Sequence, residues 1–308
     1  MGKFVALVAL ALSVVVGLAL LVAVAAGAGS SPSDPSGAAL TTGAPGSGGD
    51  QPGPAIPATW LPLYRQAAAA CPGMSWSILA AVGTVETGSG RSKLPGVWSG
   101  ANSAGAEGPM QFEPATFASY ATVGPDGARP ASPYDPVDAV YTASAMLCAD
   151  GAGSEPTLRS AITDYNHSAV YATTVLSLSL ALAEDPTVSG TAIAAITFAA
   201  EQLGTPYVWG GTGDGGFDCS GLAQAAYRAA GINLPRVAQD QFDAGPVVPG
   251  TGTVQPGDLL FFGSGPSGVD HVGLYVGSGE MIDAPHTGAT VRFDAADWPD
   301  LVGATRPG

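Results

Sequence analysis

The stretch Gly210-Gly211-Thr212-Gly213-Asp214-Gly215-Gly216-Phe217-Asp218-Cys219-Ser220-Gly221-Leu222 sets a glycine-rich loop directly against an apolar stripe. Leu222, Ala225, Ala226 and Ala229 recur at helical spacing, and Gly231 closes the run. Cys219 therefore falls in the first turn of a helix, where unpaired N–H groups and the macrodipole favour a thiolate. A small buried hydrophobe fits poorly beside so polar an approach. The thiol reads as a nucleophile.

A thiolate nucleophile wants an imidazole partner, and the 308 residues hold only 3 histidines. Two of them, His271 and His286, follow Cys219. Pro256-Gly257-Asp258 leads into an expected strand, Leu259-Leu260-Phe261-Phe262, and His271-Val272-Gly273-Leu274-Tyr275-Val276 alternates as a half-buried strand. Ser278-Gly279 then turns the chain into Met281-Ile282-Asp283. A strict two-residue turn would pair His271 with His286 and leave Asp283 on the opposite face. A three-residue loop over 277–279 shifts the register by one and sets Asp283 diagonal to His271 on one face. A carboxylate is suited to stabilise an imidazolium. Asp283 is the expected third member, with His286 as the alternative.

Together with Gly204-Thr205-Pro206-Tyr207-Val208-Trp209-Gly210-Gly211, Leu234-Pro235-Arg236 and Asp270-His271, these segments resemble the NlpC-type cell-wall cysteine peptidases, a papain-like family. The resemblance implies an α+β domain with an antiparallel sheet that hydrolyses peptidoglycan stem peptides, commonly between D-glutamate and the diamino acid. Cys219 would be the nucleophile and His271 the general base. Tyr207 and Asp218 would line the substrate side, near the thiol.

An earlier part of the chain carries a different chemistry. Ile78, Leu79, Val82, Val85 and Glu86 repeat at helical spacing, with Gly88 as a stop. The spacing 78, 82, 86 puts Glu86 on an apolar face, where desolvation raises a carboxyl pKa and suits a general acid. Taken alone, a glutamate at a helix end is more simply a solvated charge. Its surroundings add to it: Gly108-Pro109-Met110-Gln111-Phe112, then an expected helix from Val137 to Cys148, then Ala161-Ile162-Thr163-Asp164-Tyr165-Asn166. This order resembles the lysozyme-like soluble lytic transglycosylases. The resemblance implies a mainly α domain in which Glu86 is the acid/base, while Gln111, Tyr165 and Asn166 line a sugar groove.

Hydrolysis by two carboxylates needs a partner roughly 5–9 Å from the acid. Glu107, Glu113 and Asp164 are candidates, though none stands at an identifying spacing. A lytic transglycosylase manages with one carboxylate, because the muramic 6-hydroxyl attacks in place of water. The expectation is the lyase, with a muramidase as the alternative. His167 reads as a groove-edge or surface residue, and Trp60, Trp76 and Trp98 divide between sugar stacking and core.

Composition narrows the remaining classes. A net charge of −15, with 10 Lys+Arg spread over 308 residues, leaves no basic patch to displace counterions from phosphates. No nucleic-acid partner is expected. The histidines and cysteines lack zinc-site spacing, and the 211–216 loop lacks the Gly-Lys-Ser/Thr ending of a phosphate loop. No cofactor and no metal are expected.

The run from Phe4 to Ala28 carries no charge and, at about 1.5 Å per helical residue, is long enough to cross about 30 Å of hydrocarbon. It reads as a membrane anchor over 1–28 or as a cleaved signal peptide, and either way the rest is exported. Residues 29–58 are Gly/Pro/Ser-rich and read as a tether. A lysozyme-like domain is expected over 59–185, a linker over 186–193, and the peptidase domain over 194–308. The 3 cysteines of an exported chain call for a pair and a leftover, so Cys71–Cys148 is expected as a disulfide.

The whole reads as an α+β, two-headed peptidoglycan-cleaving enzyme at the cell surface of a Gram-positive-type wall. Such pairs are familiar in conjugation and secretion systems. A peptidase joined to an inactive wall-binding first domain is the rival reading.

Overall fold

The computed structural model describes residues 53–308. The expected membrane or signal segment over 1–28 and most of the tether lie outside the described residues. No helix among the described residues is long and apolar enough to cross a membrane. The end of the expected tether already belongs to the fold. Pro54 bridges Ser189, Ala55 N–H donates to the Val188 carbonyl at 2.9 Å, and the side chains of Ala55 and Ile56 are buried.

Six helices build the first half: α1 (Trp60–Ala68), α2 (Trp76–Thr87), α3 (Pro114–Tyr120), α4 (Pro136–Ala149), α5 (Glu155–Asn166) and α6 (Ala169–Glu184). Their ends follow side-chain chemistry. The Ser75 hydroxyl caps α2, Asp135 caps α4 and Ser168 caps α6, while Gly88 ends α2 in the left-handed conformation. Helix α2 is apolar nearly all round, with Leu79, Ala80, Ala81 and Val82 inaccessible, and it runs through the middle of the bundle. Its Gly83 is obligatory, since a Cβ there would lie 2.0 Å from the Tyr64 hydroxyl. The Cys71–Cys148 disulfide forms as expected, fastening the turn after α1 to the end of α4.

Helix α6 is the joint of the molecule. It packs on α2 and α5, and also on α7 (Gly190–Glu201) and the strand over Val269–Gly277. The Ser189 hydroxyl caps α7, which begins at Gly190 inside the segment expected as a linker over 186–193. One continuous core runs from α1 through α6 and α7 into the sheet. The two halves differ in fold, but they share an interior.

The second half continues with a small ribbon, β1 (Thr212–Gly213) and β2 (Gly216–Phe217), then α8 (Cys219–Ala229) and α9 (Ala238–Ala244). A five-stranded sheet follows, formed by β3 (Leu259–Gly263), β4 (Val269–Gly277), β5 (Glu280–Asp283), β6 (Arg292–Ala295) and β7 (Leu301–Thr305), in the order β6-β5-β4-β3-β7. Every neighbouring pair is antiparallel. Leu259, Leu260, Phe261 and Phe262 are all buried, the reason their run shows no alternation. The α+β class with an antiparallel sheet stands as the sequence implied.

The β4–β5 connection corrects the expected loop. It is a two-residue turn, with Gly277 opposite Glu280 and positive φ at both Ser278 (55°) and Gly279 (77°). The register shift comes from an irregularity between Tyr275 and Gly277, after which Leu274 pairs with Ile282. A bulge supplies the extra residue that a three-residue loop was expected to supply.

Candidate active site

The thiol is set by its helix. Cys219 is the first residue of α8, and Asp218 is the N-cap, its Oδ1 accepting from Gly221 N–H at 2.7 Å. The Gly210 N–H donates to Asp218 Oδ2 at 2.9 Å, which draws the glycine-rich loop over the helix start. Gly221 is required here, because a Cβ would stand 2.0 Å from the Gly211 carbonyl oxygen. Arg236 completes the arrangement, donating to Asp218 Oδ1 at 3.0 Å and Oδ2 at 2.7 Å. Both carboxylate oxygens of Asp218 are thus spent inside the protein. They serve the helix cap and the Arg236 pair. Tyr207 is different. It is half-buried and bridges Phe217, two residues before Cys219, and burial followed by the charges of Cys219 and Asp218 raises its pKa.

Strand β4 brings His271 to the same place. Its Nε2 lies 2.7 Å from Asp283 Oδ2 on β5, and Asp283 is fully buried. The Cys219 thiol acts on the same ring and raises its pKa, and its hydrogen-bond acceptor is the Asp270 carbonyl, next to His271, at 4.0 Å. Burial disfavours the imidazolium, but the bond to Asp283 and the contact with Cys219 outweigh it and push the pKa up to about 9. Burial likewise pushes the Asp283 carboxyl up, with His271 pulling it back. His286 is exposed and turns its Nδ1 to the Thr287 carbonyl at 3.0 Å, away from this cluster. Two aromatic rings hold the imidazole: Trp298 stacks on it at 5.2 Å with 18° between planes, and Phe262 lies at 5.8 Å. Trp298 carries no sequence signal for this role, because it lies in the connection between β6 and β7.

A second cluster lies in the helical half. Glu86, one residue from the end of α2, is half-buried and accepts a 2.7 Å hydrogen bond from the Tyr171 hydroxyl. Burial lifts its pKa to about 7, with the Tyr171 bond acting in the other direction. The Tyr171 ring is parallel to that of Tyr165 at 6.3 Å, and the Tyr165 hydroxyl donates to the Met110 carbonyl at 2.9 Å. Tyr165 and the 108–112 segment therefore meet, with Tyr171 between Tyr165 and Glu86. Tyr171 was not legible, since 85 residues separate it from Glu86.

Gln111 adopts a left-handed backbone (φ 52°), and its amide is tied within the loop, donating to the Gly108 carbonyl and accepting from Asn102. Asn166 ends α5 and is exposed, and exposed His167 caps that helix in the left-handed region. The hydrogen-bond partner of Glu86 is Tyr171, not one of the candidate second carboxylates. Glu107 faces Tyr134, Asp164 faces Asp150, and Glu113 is exposed at the start of α3.

A buried thiol–imidazole–carboxylate set, with its sulfur at a helix start and its imidazole on an antiparallel sheet, is the kind of arrangement that nucleophilic thiol hydrolysis requires. Residues 204–299 match the NlpC/P60 family, and this C-terminal domain belongs to it. The chain is 46% identical over 106 residues to the gamma-D-glutamyl-L-lysine dipeptidyl-peptidase of Bacillus subtilis, covering 34% of this chain and 36% of that protein. It is 43% identical over 99 residues to the probable endopeptidase p60 of Listeria monocytogenes, covering 32% of this chain and 20% of that one. Among solved structures, the P60 domain of an antigen from M. avium subspecies paratuberculosis is 34% identical, covering 38% of this chain and 93% of that chain, with a TM-score of 0.34. The chain thus spans well under half the length of the two curated relatives. The family match lies wholly within the second half.

Proposed function

We propose that this chain cleaves peptidoglycan with two sites: a cysteine endopeptidase in the second half and a glycan-cleaving site in the first. The observation that carries the peptidase is the Cys219–His271–Asp283 set inside a domain of the NlpC/P60 family. Cys219, as thiolate, attacks the scissile carbonyl. His271, held as imidazolium by Asp283, gives its proton to the leaving amine, then takes one from the water that releases the acyl group. Tyr207 stands beside the thiol on the substrate side. The name of the Bacillus subtilis relative supports the bond after D-glutamate as the target.

For the first half, the supporting observation is Glu86, which accepts from the Tyr171 hydroxyl and is lifted by burial to a pKa of about 7. A carboxyl protonated near neutral pH can give its proton to a glycosidic oxygen. With Glu86 as the one carboxylate assigned a role, the proposed reaction is intramolecular attack by the muramic 6-hydroxyl, the lytic transglycosylase reaction, with two-carboxylate hydrolysis as the alternative. Gln111, Tyr165 and Asn166 are the proposed groove residues. The Cys71–Cys148 disulfide supports export to an oxidising compartment, where the wall is the substrate and an N-terminal membrane segment the tether. A conjugation or secretion system is the proposed setting.

The test is digestion of isolated peptidoglycan with product identification by mass spectrometry, alongside Glu86→Gln and Cys219→Ala. Fragments ending in 1,6-anhydromuramic acid, lost only in Glu86→Gln, are expected, as are cut stem peptides lost only in Cys219→Ala. Reducing glycan ends would make the first site a muramidase. Intact glycan in every digest would leave the first half a wall-binding module.

A further inference from the structure

The turn that sets the peptidase register is held by the helical half. Glu184 is the last residue of α6, and its Oε2 accepts from Ser278 N–H at 2.6 Å and from the Tyr275 hydroxyl at 3.0 Å. The same Tyr275 oxygen accepts from Gly279 N–H at 3.2 Å. One carboxylate therefore holds both Tyr275 of β4 and the first residue of the β4–β5 turn. The fit is close as well as polar. A Cβ on Gly277, whose φ is 104°, would lie 3.0 Å from the Leu180 carbonyl oxygen and 3.3 Å from Glu184 Oε2.

This turn matters because the irregularity between Tyr275 and Gly277 decides which residue of β5 meets His271. With it, Leu274 pairs with Ile282, and Asp283 reaches His271 Nε2 at 2.7 Å. Without it, the pairing of Gly277 with Glu280 would continue down the hairpin. His271 would then lie opposite His286, and Asp283 would face away. Charge-assisted bonds to a backbone N–H are among the stronger ones available to hold such a turn.

We propose that Glu184 is a positioning residue of the peptidase: by clamping the 275–279 turn it fixes the bulged register that delivers Asp283 to His271. The helical half is thereby part of the peptidase site's support, not a separately tethered neighbour. The proposal rests on the cysteine-peptidase reading of the second half.

The experiment uses the full-length chain, with stem-peptide cleavage followed across pH and the His271 ring titrated by NMR. Glu184→Ala is compared with Glu184→Gln, whose amide oxygen still accepts, and with Gly277→Ala, which disturbs the same turn from the other side. The groups facing His271 are Cys219 of α8 and Asp283 of β5, with Arg292 and Asp294 of β6 acting on Asp283. Losing Asp283 from this set lowers the imidazole pKa.

We expect Glu184→Ala and Gly277→Ala to lower kcat by about tenfold with KM little changed. The His271 titration and the alkaline limb of activity should move down by at least about half a pH unit, while Glu184→Gln retains most activity. A purely structural loss would lower the melting temperature and leave the His271 titration in place, which would overturn the proposal. So would unchanged kcat and titration in Glu184→Ala. Failure of the wild-type chain to cleave, or cleavage surviving in Cys219→Ala, would instead remove the peptidase reading on which the clamp depends.

Discussion

His271 Nε2 and Asp283 Oδ2 meet at 2.7 Å although the two residues are diagonal, not directly paired, across the β4–β5 hairpin. The contact exists because a bulge, not the length of the turn, sets the register. Asp283 is fully buried, so its charge depends on the imidazolium, and the imidazolium on it.

Replacing Asp283 by Asn should reduce kcat/KM for stem-peptide cleavage by about 10² or more, because the ring loses both orientation and charge support. Stability gives a second reading. The His271 pKa is raised from 6.5 to about 9 in the folded chain, so the native state holds more protons than the unfolded one across that window. The pair's stabilisation is full below 6.5 and fades as pH rises through 9. The advantage of wild type over Asp283→Asn in thermal melting should be largest near pH 6 and shrink toward pH 10.

Trp298 should prove necessary for turnover without touching the thiol. Its ring covers one face of His271, and such aromatic pairs contribute roughly 0.5–1.5 kcal/mol beyond their buried area. Trp298→Ala is expected to lower kcat by about three- to tenfold, and Trp298→Phe to restore most of it. Steady-state kinetics on a defined stem peptide decides the point.

Glu86→Gln should stabilise the chain while removing glycan cleavage. The carboxyl is raised from 4.5 to about 7, so the folded state binds more protons between those values and stability falls as pH climbs through them. Above pH 7 the desolvated carboxylate is a standing cost that glutamine lacks. Melting curves should place Glu86→Gln above wild type at pH 8 and level with it near pH 4. A lower melting temperature for the variant at pH 8 would contradict the assignment.

The Cys71–Cys148 bond closes a separation of 77 residues. Replacing both cysteines by serine should reduce stability by about 2–4 kcal/mol, chiefly by freeing the unfolded chain. Urea denaturation measures it directly. Reduction of the wild type should lower its midpoint to the same extent, and the double variant should not respond to reductant.

What the sequence by itself determined is local. A glycine-rich loop followed by an apolar helical stripe puts Cys219 at a helix start, alternation marks the His271 strand, and the 78, 82, 86 spacing aims Glu86 along a packed face. These signals need only the few residues that one helical turn or one strand spans. Register and partnership do not travel in such short windows. The bulge after Tyr275, the gripping of its turn by Glu184 and the Tyr171 bond to Glu86 join residues 85 or more positions apart, apart from the bulge itself. Asp218 shows the same divide. The sequence placed it beside the thiol, but only the approach of Arg236 and the Gly210 amide decided that its oxygens serve the helix cap. Tertiary structure likewise merged two apparent domains into one core, because α6 and α7 each bury one face against either half, and a helix can satisfy two neighbours only once both are folded.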